Sequence, residues 1–287
     1  MAEGVAAAPR AGRSPWKHPS LVIGGGIVAA IVLVAAISLV WTPWEATKMN
    51  IPQRLQGPSA THWLGTDHFG RDIASMLMVG ARNSLAVGFV AVGIGMVFGV
   101  AFGTLAAARR GTFIDEIVMR SADFTFAFPA VLSAVMITAL LGPGVVNAIL
   151  AIGIYNIPIF VRLTRSGALQ VWSRDYVLAA RAAGKTLLQI TLRHVIPNIA
   201  GLIIVQGTVQ FATAILAEAG LSYLGLGTQP PNPSWGRMLN EAQTYMQRQP
   251  LLAVFPGLTI ALAVLGCNLL GDGLRDHFDP RVNRSRT

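Results

Sequence analysis

The chain has 287 residues, 53% of them hydrophobic and only 12% charged, against roughly 25% charged in an ordinary globular domain. So little charged surface excludes a disordered chain and argues against a water-soluble enzyme of this size. The net charge of +9 fits nucleic acid at first sight, but in a membrane protein the positions of basic residues outweigh their sum, and the single Cys267 rules out an internal disulfide.

A helix needs about 20 apolar residues to cross the hydrocarbon core. Six stretches qualify: 21–40, 84–108, 124–141, 145–161, 199–217 and 251–270. The third and fourth come from one uncharged run, which Gly142-Pro143-Gly144 divides as a tight turn would. The first resembles a signal peptide, with Arg10, Arg13 and Lys17 before it. Its apolar run exceeds the roughly 7–15 residues of a cleavable core and ends in Trp41 and Trp44, so a retained anchor is expected. The expected class is an all-α polytopic membrane protein.

With the N-terminus inside, sixteen Lys and Arg fall on inner segments and six on outer ones. This bias places both termini in the cytoplasm. It also removes the nucleic-acid reading, because the basic residues form separated inner segments and not one patch. The expected divisions are a cytoplasmic tail at 1–20, a first span at 21–40, an outer loop at 41–83, a core of five spans at 84–271, and a basic cytoplasmic tail at 272–287.

No charge falls inside the six stretches, which argues against a proton-driven carrier or a voltage sensor. No H-E-x-x-H occurs. His62 and His68 in the outer loop lack a third ligand in sequence and read as surface residues. Gly184-Lys185-Thr186 ends like a P-loop, but Ala179 stands where the first glycine is needed. Gly24-Gly25-Gly26 lies within a span and follows no strand, so it is not a dinucleotide turn.

Residues 162–198 form the longest inner loop and carry six of the inner charges. Tyr176–Ala183 is alanine-rich and predicts a short helix, with Ser173 or Asp175 as its cap. Leu188, Leu192 and Val195 fall on one face of a second helix. Gly184 sits between the two, where the turn needs a residue without a Cβ, and Pro197 starts the return to the membrane. Docking to a soluble partner and resting on lipid headgroups both fit this pattern.

The same residues carry a resemblance. Leu178-Ala179-Ala180-Arg181-Ala182-Ala183-Gly184, nine residues, then His194-Val195-Ile196-Pro197 resembles the EAA loop of ABC importer permeases, with Leu178 in place of the glutamate. Leu64–Asp72 followed by Gly80–Leu85, Leu221–Gly227, and Gln229–Leu239 resemble the peptide/nickel branch of that family. The resemblance spans roughly residues 60–275 and is to the second permease subunit of dipeptide/oligopeptide importers.

It implies a type I importer transmembrane domain that does no bond chemistry and binds no cofactor. The implied partners are a second permease subunit, two cytoplasmic ATPase subunits that bind the ATP, an extracytoplasmic substrate-binding protein and the lipid bilayer of a bacterial cell membrane. The implied ATPase-coupling residues are Ala179, Ala180, Gly184, Leu188, Leu192 and Pro197. Leu178 puts any contact that needs the glutamate in question.

Gln206, Gln210 and Thr213 share one face of the fifth span. Pathway lining and interhelical hydrogen bonding both explain such a stripe. Gly95, Gly99 and Gly103 make overlapping G-x-x-x-G steps and predict close helix packing. Residues 218–250 read as an outer segment whose apolar start is interfacial or re-entrant; docking of a binding protein and a plug over the outer gate both fit it. The rival function is an ATP-independent channel or facilitator, which has no use for an ordered inner loop. A fused exporter is disfavoured because no P-loop is present.

Overall fold

The computed structural model describes residues 19–278. Ten α-helices make up its regular structure: α1 Pro19–Ile37, α2 Ile73–Ala108, α3 Phe113–Phe126, α4 Ala130–Leu141, α5 Val145–Trp172, α6 Asp175–Ala182, α7 Leu187–Ile190, α8 Ile196–Tyr223, α9 Trp235–Ala242 and α10 Leu251–Phe278. A π-helical turn, Thr191–Val195, joins α7 to α8. The two expected tails lie mostly outside the described residues.

Five helical segments are long and apolar enough to cross a membrane: α1, α2, α5, the run Leu187–Tyr223 and α10. The third expected span, 124–141, is not one helix. α3 and α4 meet at an 88° bend, and together they supply the sixth candidate. The break falls at Pro129, which has extended backbone as the N-cap of α4. Proline has no N–H and disfavours helical backbone in the residue before it, so hydropathy runs through a point where the helix cannot.

The glycine stripe does what its spacing predicts. At Gly95, Gly99 and Gly103 an added Cβ would collide with Asn156, Phe160 and Thr164 of α5. The α2 and α5 backbones approach closely for that reason, and Phe160 is fully buried between them. Gly24, rejected as a nucleotide turn, has a packing role: its missing side chain lets α1 touch the α10 backbone near Leu270. Gly266 and Gly273 return the arrangement from the α10 side, against Ile27 and Leu21.

α2 begins at Ile73, well before the expected 84, because Asp72 caps it. The Asp72 carboxylate accepts from Ser75 N at 2.8 Å and from Ser75 Oγ at 2.7 Å. His62 is buried and not a surface residue: its Nδ1 lies 2.9 Å from Asp72 Oδ1 and its Nε2 3.2 Å from Gln53 Oε1. Asp67, His68 and Glu241 bring their ligand atoms within 4.8 Å of one another. Both carboxylates are already held by arginines. Arg71 Nε donates to Asp67 at 2.6 Å, Arg71 Nη2 donates to Glu241 at 2.5 Å, and Arg237 Nε donates to Glu241 at 2.9 Å. The cluster is therefore an ion-pair clamp between the segment before α2 and α9.

The apolar start expected to be interfacial or re-entrant is the last turn of α8 and the turn after it, so it forms no separate re-entrant segment. Glu218, one residue past the expected fifth span, lies inside α8 and is 1% exposed. Its carboxylate accepts from Ser84 Oγ at 2.9 Å, Ser222 Oγ at 2.7 Å and Thr228 Oγ1 at 3.3 Å. The chain beyond α8 is pinned to α2 twice more. Asn83 Nδ2 donates to Pro233 O at 2.7 Å, and the buried Trp235 donates from Nε1 to Leu77 O at 3.2 Å.

Candidate functional site

α5 ends at Trp172 with Ser173 as its C-cap, whose hydroxyl donates back to Gln170 O at 2.9 Å. That bond uses up the expected cap of α6. Arg174 occupies the N-cap position without a side-chain bond, and Asp175 sits in the first turn, where its charge favours the helix dipole. Val177 and Ala180 are buried and seat α6 on the core. Ala179, Leu178 and Tyr176 face outward.

The turn at Gly184 has a definite form. Lys185 N donates to Ala180 O at 3.2 Å and Gly184 N to Arg181 O at 3.0 Å, the paired bonds of a Schellman motif. Gly184 has φ +79°. No atom lies within 4 Å of where a Cβ would be built, so backbone conformation, not space, demands glycine there. Thr186 then caps α7 with a capping box: its Oγ1 accepts from Gln189 N at 3.3 Å, and Gln189 Oε1 accepts from Thr186 N at 3.0 Å.

Leu188 and Leu192 are 67% and 56% exposed, as a docking face requires. Val195 does not join them; it is fully buried. The cause is the π turn at Thr191–Val195, whose wider winding rotates Val195 off the face that regular helical spacing predicts. His194 ties the two short helices together, with Nε2 3.3 Å from Lys185 Nζ and its ring edge-on to Tyr176. Pro197 stands in the first turn of α8, directly after the π turn. The ordered element between the long helices is thus an apolar, outward-facing pair of short helices set by one glycine.

A cavity of about 280 Å³ lies among α4, α5 and α8. Gln210 and Thr213 line it, and Gln206 does not. The Thr213 hydroxyl donates to Val209 O at 3.0 Å within its own helix. Tyr155 and Asn156 of α5 are lining residues that sequence spacing did not single out. They sit on a different helix from the glutamines, so no periodicity links the two sets.

A family model described as "Binding-protein-dependent transport system inner membrane component" matches residues 99–284. The chain belongs to that family. The permease is 43% identical over 94% of its length to the dipeptide transport system permease protein DppC of Alkalihalophilus pseudofirmus, covering 91% of that protein. It is 40% identical over 94% of its length to the glutathione transport system permease protein GsiD of Pectobacterium atrosepticum, covering 92% of it. Among solved structures, it is similar in fold to a chain of the MetNI methionine ABC transporter in inward-facing form. That match has a TM-score of 0.59 at 19% identity and covers 71% of this chain and 97% of that one. The permease is a membrane-embedded transporter subunit and carries out no catalysis itself.

Proposed function

We propose that this permease forms half of an ATP-driven import pathway for dipeptides or peptide-like solutes. The observation that carries the reading is the near full-length relation to dipeptide and glutathione permeases. The core is the expected 84–271, extended at its start by the first turns of α2 from Ile73, and the coupling element is the part of 162–198 that lies between α5 and α8. A second permease subunit completes the pathway, two cytoplasmic ATPase subunits bind the ATP, and an extracytoplasmic binding protein delivers solute. The inner-membrane family supports residence in the bacterial inner membrane, and the charge bias supports cytoplasmic termini.

Ala179, Ala180, Gly184, Leu188, Leu192 and Pro197 form or shape the surface that meets an ATPase. Closure of the ATPases draws on this loop. The loop continues directly into α5 and α8, so the stroke rocks these helices between inward- and outward-open states. Gln210 and Thr213 line the route, and Gln206 lies beside it. A stand-alone facilitator needs no such exposed apolar pair of helices.

Reconstitution tests the reading. The permease with its partner subunits takes up labelled dipeptide into liposomes only with ATP. Uptake by the chain alone would favour the facilitator. Outside labelling of a cysteine placed at Ser173, with Cys267 replaced, would contradict the orientation.

A further inference from the structure

The polar groups of the α4–α5–α8 cavity are an uneven set. Gln210 is 7% exposed, lines the cavity, and makes no side-chain hydrogen bond among the described residues. Its amide is not sealed off, so both its donor and its acceptor stay open to whatever enters the cavity. Asn156, 4% exposed, donates from Nδ2 to Ile152 O at 3.0 Å, which leaves its carbonyl oxygen unpartnered. Both line the same cavity, and no charged residue does. The remaining wall is alanine and branched aliphatic side chains, with Tyr155 and Thr213.

We infer that Gln210 and Asn156 read the peptide bond of a passing solute. This rests on the reading of the chain as a peptide permease. A peptide unit offers one N–H and one C=O. Gln210 supplies a donor and an acceptor, and Asn156 a further acceptor. The ammonium and carboxylate ends of a peptide find no counter-charge here, so the cavity takes the amide and an uncharged side chain and leaves the termini in the wet part of the route. Its volume is near the lower limit of about 300 Å³ for small-ligand sites, which suits a two-residue unit over a longer chain. Two of its walls, α5 and α8, run straight into the inner loop, so a stroke on that loop changes the site.

The test uses the complete complex in proteoliposomes: both permease subunits, the ATPases and the binding protein. The solutes are an alanine dipeptide and its ester analogue, in which oxygen replaces the peptide N–H. Binding-protein affinity for each is measured separately and divided out. The wild type favours the peptide. Gln210→Met, close in volume and without the amide, lowers the peptide-to-ester uptake ratio by roughly three- to tenfold, the factor for one or two hydrogen bonds. An unchanged ratio in Gln210→Met overturns the inference. Failure of both Gln210→Met and Gln210→Ala to assemble makes Gln210 a packing residue, which overturns it too. If the wild-type complex moves neither solute, the peptide reading itself falls and the pair falls with it.

Discussion

Glu218 of α8 accepts a hydrogen bond from Ser84 of α2 at 2.9 Å, in a site where the carboxylate is fully enclosed. The same carboxylate takes the Ser222 and Thr228 hydroxyls, and Thr228 N donates to Ser222 Oγ at 2.9 Å. One side chain therefore fastens the C-terminal end of α8, the turn that follows it and α2.

Removing that acceptor leaves buried hydroxyls unpaired, at a cost of about 1–3 kcal/mol for each one that finds no substitute. Glu218→Ala is expected to lower the thermal stability of the purified complex and to expose residues 224–250 to protease. Ser84→Ala removes one donor of three and is expected to have a smaller effect in the same assays. Equal stability and equal cleavage in Glu218→Ala and the wild type would refute the fastening role.

The α2–α5 contact makes a sharper demand. A Cβ at Gly99 would lie 2.8 Å from Ile157 O and collide with Phe160. Gly99→Leu forces the two helices apart, and overpacking of this kind costs about 1–3 kcal/mol or more. The variant is expected to show lower membrane yield and loss of a monodisperse peak on size exclusion. Gly93→Leu, with open space around it, serves as the control and is expected to behave as the wild type. Equal yields for both would show that the close approach is not required.

Much of this arrangement is legible in the sequence. The glycine stripe of α2, the tight turn after α4 and the glycine between two short helices all follow from local backbone rules. What escaped was set by tertiary context. Pro129 sits in an uninterrupted apolar run, so hydropathy does not register the 88° bend. Glu218 stands one residue past an apolar stretch and reads as an outer-loop charge until Ser84, distant in sequence, is brought to it. Val195 follows helical spacing on paper, but a π turn rotates it inward. His62 has no sequence signal for burial; Asp72 and Gln53 supply it.

The clamp of Asp67, Arg71 and Glu241 is sensitive to pH through His68. Burial lowers its pKa below the ordinary 6.5, against opposing pulls from Asp67 and Glu241. A base with a lowered folded pKa binds protons more readily once unfolded. Stability is therefore intact above about 6.5 and declines as pH falls below it toward the lower folded value. Thermal unfolding between pH 8 and pH 5 is expected to show this loss, and His68→Gln is expected to flatten it. An identical pH dependence in His68→Gln would rule out the assignment.

The coupling role of the inner loop is the central claim, and Gly184→Val in the assembled complex tests it most directly. A branched side chain at φ +79° stores about 1–3 kcal/mol of strain, which the Schellman turn relieves by tilting α7 relative to α6. The space around Gly184 is open and the long helices are not touched, so membrane level and complex assembly are expected to stay near normal. Solute-stimulated ATP hydrolysis and transport are expected to fall together. A Gly184→Val complex that assembles and hydrolyses ATP with full solute stimulation would contradict the coupling role of this loop.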